Sequence, residues 1–334
     1  MNKYIKIFLT TVITLCTTFS CDRDEVYTRE QYKHVFSIVS GTDNVSMWVH
    51  DLRIRESIGY ISASLGGTKP SKQDVVITVV EDNKLIDEFN YVNFSSNPSR
   101  FIQPLSADRY SIDNYQFTIP AGQISGELPI RIRPEGLSPD SSYFIALKVD
   151  YYSAYEVVPE YDFILYEVRT KNWWANSRGT TYSLMGTFQD QNMFTTTVDD
   201  DGNEIQVLIQ PVAIVGSKPL FPVSENVVRL VAGTETRDAL GIFSETDFIN
   251  MTALLVTIVE NDKVVITPYK NLDVRQVDDD PEFPNTVQIY NDGFRTYKQF
   301  LLSYIYTGLN GREIHIREEL RLEFLEDVKD PRYL

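Results

Sequence analysis

The chain has 334 residues, 43% of them hydrophobic and 23% charged, with a formal net charge of −16 at neutral pH. That much apolar material can fill a core, which excludes a disordered chain, and so acidic a balance makes nucleic acid and anionic lipid poor partners.

The first residues read as a processing signal. Lys3 and Lys6 precede a short, mostly apolar run over residues 7–19, too short for a membrane span, which needs about 20 apolar residues. Ser20 then precedes Cys21, which predicts a signal peptide over residues 1–20, cleaved so that Cys21 becomes the lipidated first residue. Thr18 and Phe19 replace the leucine and small residue of the commonest lipoprotein pattern, so the expectation rests on position: Cys21 lies where the apolar run gives way to Asp22-Arg23-Asp24-Glu25. An ordinary secretory peptide that happens to hold a cysteine is the alternative. Cys16 follows the large Leu15 and belongs to the discarded segment. Losing Lys3 and Lys6 takes the charge from −16 to −18 and leaves Cys21 as the one cysteine, its sulfur consumed by lipid. No disulfide, cysteine-rich zinc site or thiol nucleophile is then expected. Two or three acyl chains, at about 0.8 kcal/mol per buried methylene, hold such a protein on a membrane. Residues 21–31 form an acidic tether, similar to the export signal that sends Bacteroidetes lipoproteins to the outer face of the outer membrane; a plain solvated linker is the other reading.

Roughly 310 residues follow, comfortable for two domains. Their periodicity is that of strands: Val45-Ser46-Met47-Trp48-Val49, residues 75–80, 128–132 and 144–149 are short β-rich runs between turn residues. In Ile130-Arg131-Ile132-Arg133 the arginines alternate with isoleucines, giving one dry and one wet face. No sustained amphipathic helical period is expected; only residues 234–240 and 244–250 suggest short helices, with Ser244 and Asp247 as a capping pattern. Pro120-Ala121-Gly122 is expected to turn residues 115–119 back into residues 126–132 as a hairpin, and residues 137–143 make a second turn.

The pattern Tyr110-Ser111-Ile112, Thr118-Ile119-Pro120-Ala121-Gly122, Leu137-Ser138 and residues 143–149 resembles the immunoglobulin-like N-terminal domain of Bacteroidetes surface lipoproteins, and more distantly the Calx-beta sandwich. The resemblance covers about 150 residues and rests on turn and core positions. It implies a place in polysaccharide utilisation, beside an outer-membrane transporter of the starch-utilisation type and its binding lipoprotein. The acidic calcium ligands of Calx-beta domains have no clear counterpart here.

A boundary is expected near Lys171-Asn172, giving a sandwich over residues 32–171 and a second domain over residues 172–334. Trp173-Trp174 and residues 179–188 open that domain, and further strands are expected at residues 203–209, 227–231, 252–259, 263–266, 286–290, 299–306 and 314–324. Asp201-Gly202, Asn261-Asp262, Asn291-Asp292-Gly293 and Asn310-Gly311 are the turn signals between them. An antiparallel meander of this kind closes most economically into a barrel-like, lipocalin-like domain. Residues 310–320 also look like the C-terminal domain of the same lipoproteins, and the resemblance extends to Tyr333. The expected fold class is therefore all-β.

The chemistry-bearing residues are sparse. His34, His50 and His315 have no metal-spaced partners and read as strand residues; no nucleophile elbow or phosphate loop occurs, and no metal or cofactor is implied. Asp199-Asp200-Asp201-Gly202 and Asp278-Asp279-Asp280 lack the alternation of a calcium loop and read as solvated turns. The 47 acidic residues leave a pair of glycosidase carboxylates open on supply alone. The 20 Tyr, 18 Phe and 3 Trp suggest sugar recognition, because the C–H faces of sugars stack on rings while their hydroxyls need planar polar groups. Trp173 and Trp174 beside Asn172 and Asn176 form one candidate platform; alternatively one Trp closes the barrel floor while the other wedges between domains. A second candidate is the turn carrying Tyr290, Asn291, Asp292, Phe294, Arg295 and Tyr297, which reads equally as a hairpin tip. Tyr151, Tyr152 and Tyr155 are a third group, more consistent with packing. The expected role is a non-catalytic lipoprotein that captures a polysaccharide or oligosaccharide for an outer-membrane transporter; the alternatives are a structural or adhesive protein and, behind it, a carboxylate-dependent glycoside hydrolase.

Overall fold

The structure, a computed structural model, describes residues 34–324 apart from Thr68 and Phe243. The signal peptide, Cys21, the tether at residues 21–31 and Tyr333 lie outside the described residues. The chain is all-β.

The N-terminal half contains β1 (Val35–Ile38), β2 (Val45–Asp51), β3 (Ser57–Gly66), β4 (Val75–Glu81), β5 (Gln103–Pro104), β6 (Tyr110–Ile112), β7 (Gln116–Ile119), β8 (Ser125–Ile132), β9 (Tyr143–Tyr152), β10 (Glu156–Val157) and β11 (Phe163–Lys171). They form two facing sheets, ordered β10-β1-β3-β8-β6 and β2-β11-β9-β4-β7, with β5 also on β9. This is an immunoglobulin-like sandwich. Alternate residues such as Ile61, Ala63, Ile77, Leu128, Ile130 and Leu147 point between the sheets and make its core.

Two local expectations are corrected. Residues 115–119 and 126–132 do not pair: β7 pairs with β4, whereas β8 pairs with β3 and β6. Pro120-Ala121-Gly122 is an arch between the two sheets, and Gly122 takes the positive φ of 82° that the turn needs. Gly126 lets the arch close, since a Cβ there would overlap the Thr118 carbonyl oxygen. The second correction is an eleven-residue helix, α1 (Lys84–Phe94), where no sustained helical period was expected. Its buried side is Ile86 with Asn90, whose side chain bonds both backbone groups of Ile102 at 2.8 and 2.9 Å. The stripe is broken in sequence because Asn90 is polar and Tyr91 and Val92 put apolar groups on the wet face.

The C-terminal half contains β12 (Thr180–Asp190), β13 (Phe194–Val198), β14 (Glu204–Leu208), β15 (Val212–Ser224), β16 (Val227–Val231), α2 (Arg237–Leu240), α3 (Glu245–Thr252), β17 (Ala253–Ile258), β18 (Val264–Pro268), β19 (Val274–Gln276), β20 (Thr286–Asn291), β21 (Thr296–Thr307) and β22 (Glu313–Phe324). One antiparallel sheet runs β18-β17-β16-β15-β12-β22-β21-β19, with β20 also on β21. It curls until its ends nearly meet: the Ile266 amide donates to Gln276 Oε1 at 2.8 Å, and Lys263 bridges Thr286. The result is a nearly closed barrel. Each of the four turn signals joins neighbouring antiparallel strands, and Ser244 accepts from the Asp247 amide at the start of α3. Tyr182, Leu220, Leu230, Phe300, Leu302 and Leu320 fill the interior. The β13–β14 ribbon stands apart from the barrel sheet.

Candidate functional site

The barrel interior is packed, and it contains an ion pair. Lys218 of β15 and Glu318 of β22, 4% and 0% exposed, meet inside it, and the Tyr304 hydroxyl donates to Glu318 Oε1 at 3.0 Å while accepting the Gly233 amide at 2.9 Å. Burial depresses the Lys218 ammonium against the pull of Glu318. Every polar atom of the group is engaged, so it reads as structure.

The concave surface lies between the halves. In β16 (Val227–Val231), Val228 and Leu230 point into the barrel, so Arg229 points out, yet it too is buried. The sandwich covers it: Arg229 Nη1 is 2.7 Å from Asp140 Oδ1, and the Tyr269 hydroxyl donates to Asp140 Oδ2 at 2.8 Å. The guanidinium lies over the rings of Phe221, its cross-strand neighbour on β15, and Tyr269, at 4.6 and 5.5 Å. Burial lowers the Arg229 pKa and Asp140 opposes the shift. Arg229 Nε is buried without a hydrogen-bond partner.

Around this contact two adjoining cavities of about 460 and 580 Å³ open, each within the roughly 300–1,000 Å³ of small-molecule sites. Both are lined by Phe94, Arg100, Ile102, Asp140, Ser142 and Ser177. The first continues past Phe101 of the sandwich half and along the outer face of the barrel past Phe221, Arg237, Thr246 and Phe248. The second continues over the sandwich past Met47, Phe144, Glu167, Arg169 and Arg178. Glu167 accepts from Arg169 Nε at 2.7 Å; burial raises its pKa, with Arg178 at 3.9 Å pulling the other way. The cleft thus offers aromatic rings, hydroxyls and guanidinium groups drawn from both halves of the chain.

The residues singled out in the sequence lie elsewhere. Trp174 is 2% exposed and packs edge-on against Phe300 at 5.2 Å, so it is barrel core and cannot serve as a sugar platform. Trp173 is half-buried, edge-on to Phe324 at 6.1 Å, with Lys298 Nζ 3.7 Å above its ring. Asn172 is buried; it donates to the Ser224 and Val227 carbonyls and accepts the Trp174 and Ala175 amides, fastening the segment after β11 to the β15–β16 turn. Asn176 is exposed, but it bonds Thr180 and the Arg178 amide. Tyr290 and Tyr297 do come together, as cross-strand partners 6.4 Å apart, and Arg321, which the sequence did not single out, covers Tyr290 at 4.7 Å. At the tip of that hairpin Phe294 is 94% exposed, Asn291 Oδ1 accepts the Gly293 amide, and Arg295 pairs with Glu323 at 2.8 Å. The hairpin projects, where the cleft encloses. Tyr152 packs edge-on against Phe36 at 5.4 Å and Tyr155 lies against His34 at 5.0 Å, while Tyr151 is exposed.

Other candidate chemistry resolves into packing. Ser303 Oγ lies 3.0 Å from His315 Nε2 and 3.1 Å from Asp280 Oδ2. The carboxylate is on the serine rather than behind the histidine, and Ser303 is fully buried, so no nucleophile relay is formed. Asp280 also binds Arg317 at 2.5 Å, which pins residues 277–285 to the barrel. Asp199 caps its own turn by accepting the Asp201 and Asn203 amides. Among the described residues no group of three His, Cys, Asp or Glu side chains is placed to hold a metal.

The cleft residues were hidden in the sequence because they are contributed by distant segments. One signal was present: Arg229 interrupts the apolar run Val227-Val228-Arg229-Leu230-Val231, which marks a cation needing a partner.

Residues 25–156 match a family model described as an N-terminal domain, and residues 163–321 one described as a C-terminal domain. No curated protein matches the chain. Among solved structures it is similar to a Bacteroides ovatus protein of unknown function, 16% identical over 90% of this chain and 98% of that one, with a TM-score of 0.63. A second Bacteroides ovatus protein of unknown function is 18% identical over 92% of this chain and 96% of its own, with a TM-score of 0.57. An auxiliary nutrient binding protein of Bacteroides thetaiotaomicron is 14% identical over 84% of this chain and 91% of its own, with a TM-score of 0.54. At these identities the likeness is one of fold, and it spans both halves.

Proposed function

We propose that this chain, a two-domain protein of the type found in Bacteroides, is a non-catalytic surface lipoprotein that binds glycan in the cleft between its sandwich and its barrel. The carrying observation is the cleft itself: Phe94 and Phe101 from one half face the side of the barrel that bears Phe221 and Phe248, with Ser142, Ser177 and Thr246 among them. Rings of this kind stack on sugar C–H faces, and hydroxyls and guanidinium groups meet sugar hydroxyls. The auxiliary nutrient binding protein of the same fold supports a nutrient-capture role. The sequence around Cys21 supports a lipid anchor at the outer membrane, and the family resemblance supports a place beside a polysaccharide transporter.

Isothermal titration of the purified protein against a polysaccharide panel tests this reading. Binding that is weakened in a Phe101→Ala variant is the expected result; silence across the panel overturns it.

A second reading, capture of a partner protein, is favoured by the β13–β14 ribbon. Met193, Phe194, Val198, Ile205 and Val207 are all exposed on it, and a free ribbon offers edges for strand addition. A protein captured through the ribbon, together with no response to any sugar, would select this reading.

A further inference from the structure

We propose that the ligand of the cleft is an anionic glycan, one whose sugars carry carboxylate or sulfate groups. This rests on the glycan-binding reading above and adds the charge class of the ligand.

The charge of the cleft runs against that of the chain. The whole sequence carries a net charge of −16. The two cavities are lined by five arginines, Arg100, Arg169, Arg178, Arg229 and Arg237, against three carboxylates, those of Asp140, Glu167 and Glu245, an excess of two positive charges. Two arginines are consumed internally, Arg229 by Asp140 at 2.7 Å and Arg169 by Glu167 at 2.6 Å. Arg178 reaches Glu167 only at 3.9 Å and is 70% exposed. Arg100 and Arg237 are exposed and have no ion pair among the described residues. Arg100 lines both cavities, Arg178 the one over the sandwich and Arg237 the one along the barrel, so open cations are distributed along the whole cleft.

Every cation in the lining is an arginine. A planar guanidinium offers paired N–H donors that fit a carboxylate or sulfate with two parallel bonds, and it stacks on rings as Arg100 does over Phe94 at 5.0 Å. Arg100, Arg178 and Arg237 only donate, so at these three positions the cleft favours a ligand group that only accepts, as a carboxylate or sulfate does. The charges of Arg100 and Arg237, with no ion pair among the described residues, and that of Arg178, met by Glu167 only at 3.9 Å, are matched by anions repeated along a chain.

Oligosaccharides in matched pairs test the proposal, each acidic member beside its neutral form: oligogalacturonate with its carboxyl-reduced form for carboxylate, and sulfated galactan with its desulfated form for sulfate. At low salt, titration of the purified protein should show about tenfold or greater preference for the acidic member of at least one pair. Arg100→Gln, Arg178→Gln and Arg237→Gln should each erode that preference, as should salt near 1 M, where charges are screened beyond about 3 Å. Neutral members bound equally or better would overturn the anionic assignment and leave the glycan reading standing. Silence across both members of every pair would overturn both.

Discussion

Arg229 of the barrel and Asp140 of the sandwich meet at 2.7 Å, with side chains 4% and 25% exposed, and the Tyr269 hydroxyl holds the same carboxylate from the other side. The contact joins the outer face of β16 to the turn at residues 137–143, and the cleft opens around it. Asp140 lines both cavities and Arg229 the one along the barrel, so the contact ties the two walls of the cleft together.

Asp140→Ala leaves the Arg229 charge buried without its partner. Breaking a fully buried pair costs about 3–5 kcal/mol, and the partial exposure of Asp140 brings the expectation to about 2–3 kcal/mol. Urea denaturation should show the loss, and small-angle scattering should show the two halves moving more freely. An unchanged midpoint and envelope would mean that the pair joins nothing of consequence.

The ion pair inside the barrel makes a sharper case, because Lys218 and Glu318 are almost wholly enclosed. Lys218→Met should destabilise the protein by about 3–5 kcal/mol, and adding Glu318→Leu should recover most of that. A double variant no better than the single one would show that Tyr304 and Gly233, not the charges, hold this layer together.

His50 gives a pH dependence. It is fully buried on β2, within 3.0 Å of both Ser57 Oγ and the Tyr166 hydroxyl, and burial lowers its pKa from 6.5 to about 4. The unfolded chain therefore takes up a proton near pH 6.5 that the folded chain refuses until near pH 4. The stabilisation is fully present above pH 6.5 and is lost as the pH falls toward 4, by up to about 3 kcal/mol. Denaturation midpoints measured from pH 7 to pH 4.5 should fall more steeply for the native protein than for His50→Gln. Parallel slopes would place the imidazole in contact with water.

Much of this architecture was legible because local chemistry sufficed to specify it. Asn310-Gly311 and Asp201-Gly202 need only their own backbone preferences to turn two strands, and Ser244 caps α3 from within its own first turn. The arch at Pro120-Ala121-Gly122 is not legible in sequence because a turn reverses the chain whether its strands join one sheet or two; only the partners β4 and β3, far off in sequence, decide. Helix α1 was hidden by Asn90, whose bonds to Ile102 make a polar residue a core residue. The aromatic pairs drew attention in sequence, but Trp174 is spent on the barrel core, and the cleft is assembled from Arg100, Asp140 and Arg229, which no spacing relates.

Gly126 tests the arch. A methyl group there would run into the Thr118 carbonyl, which belongs to rigid backbone rather than to a movable side chain. Gly126→Ala should cost about 1–3 kcal/mol by overpacking, read from thermal or urea unfolding. A neutral effect would mean that the two sheets can part at this edge without penalty.

Two phenylalanines separate the competing binding surfaces. Phe101 lines the cleft, whereas Phe294 projects from its hairpin. Phe101→Ala should weaken glycan binding by about tenfold, the loss of about 1.4 kcal/mol of ring contact. Phe294→Ala should leave binding untouched and change stability by less than about 0.5 kcal/mol. The reverse pattern would move the site to the Tyr290 and Tyr297 hairpin.

Diffraction from crystals of the protein grown with an oligosaccharide it binds tests the central claim most directly. The account predicts sugar rings in the cleft between Phe101 and Phe248, with at least one of Arg100, Arg178 and Arg237 bonded to the ligand. Sugar bound on the hairpin of Tyr290, Phe294 and Tyr297, with the cleft holding only solvent, would contradict it.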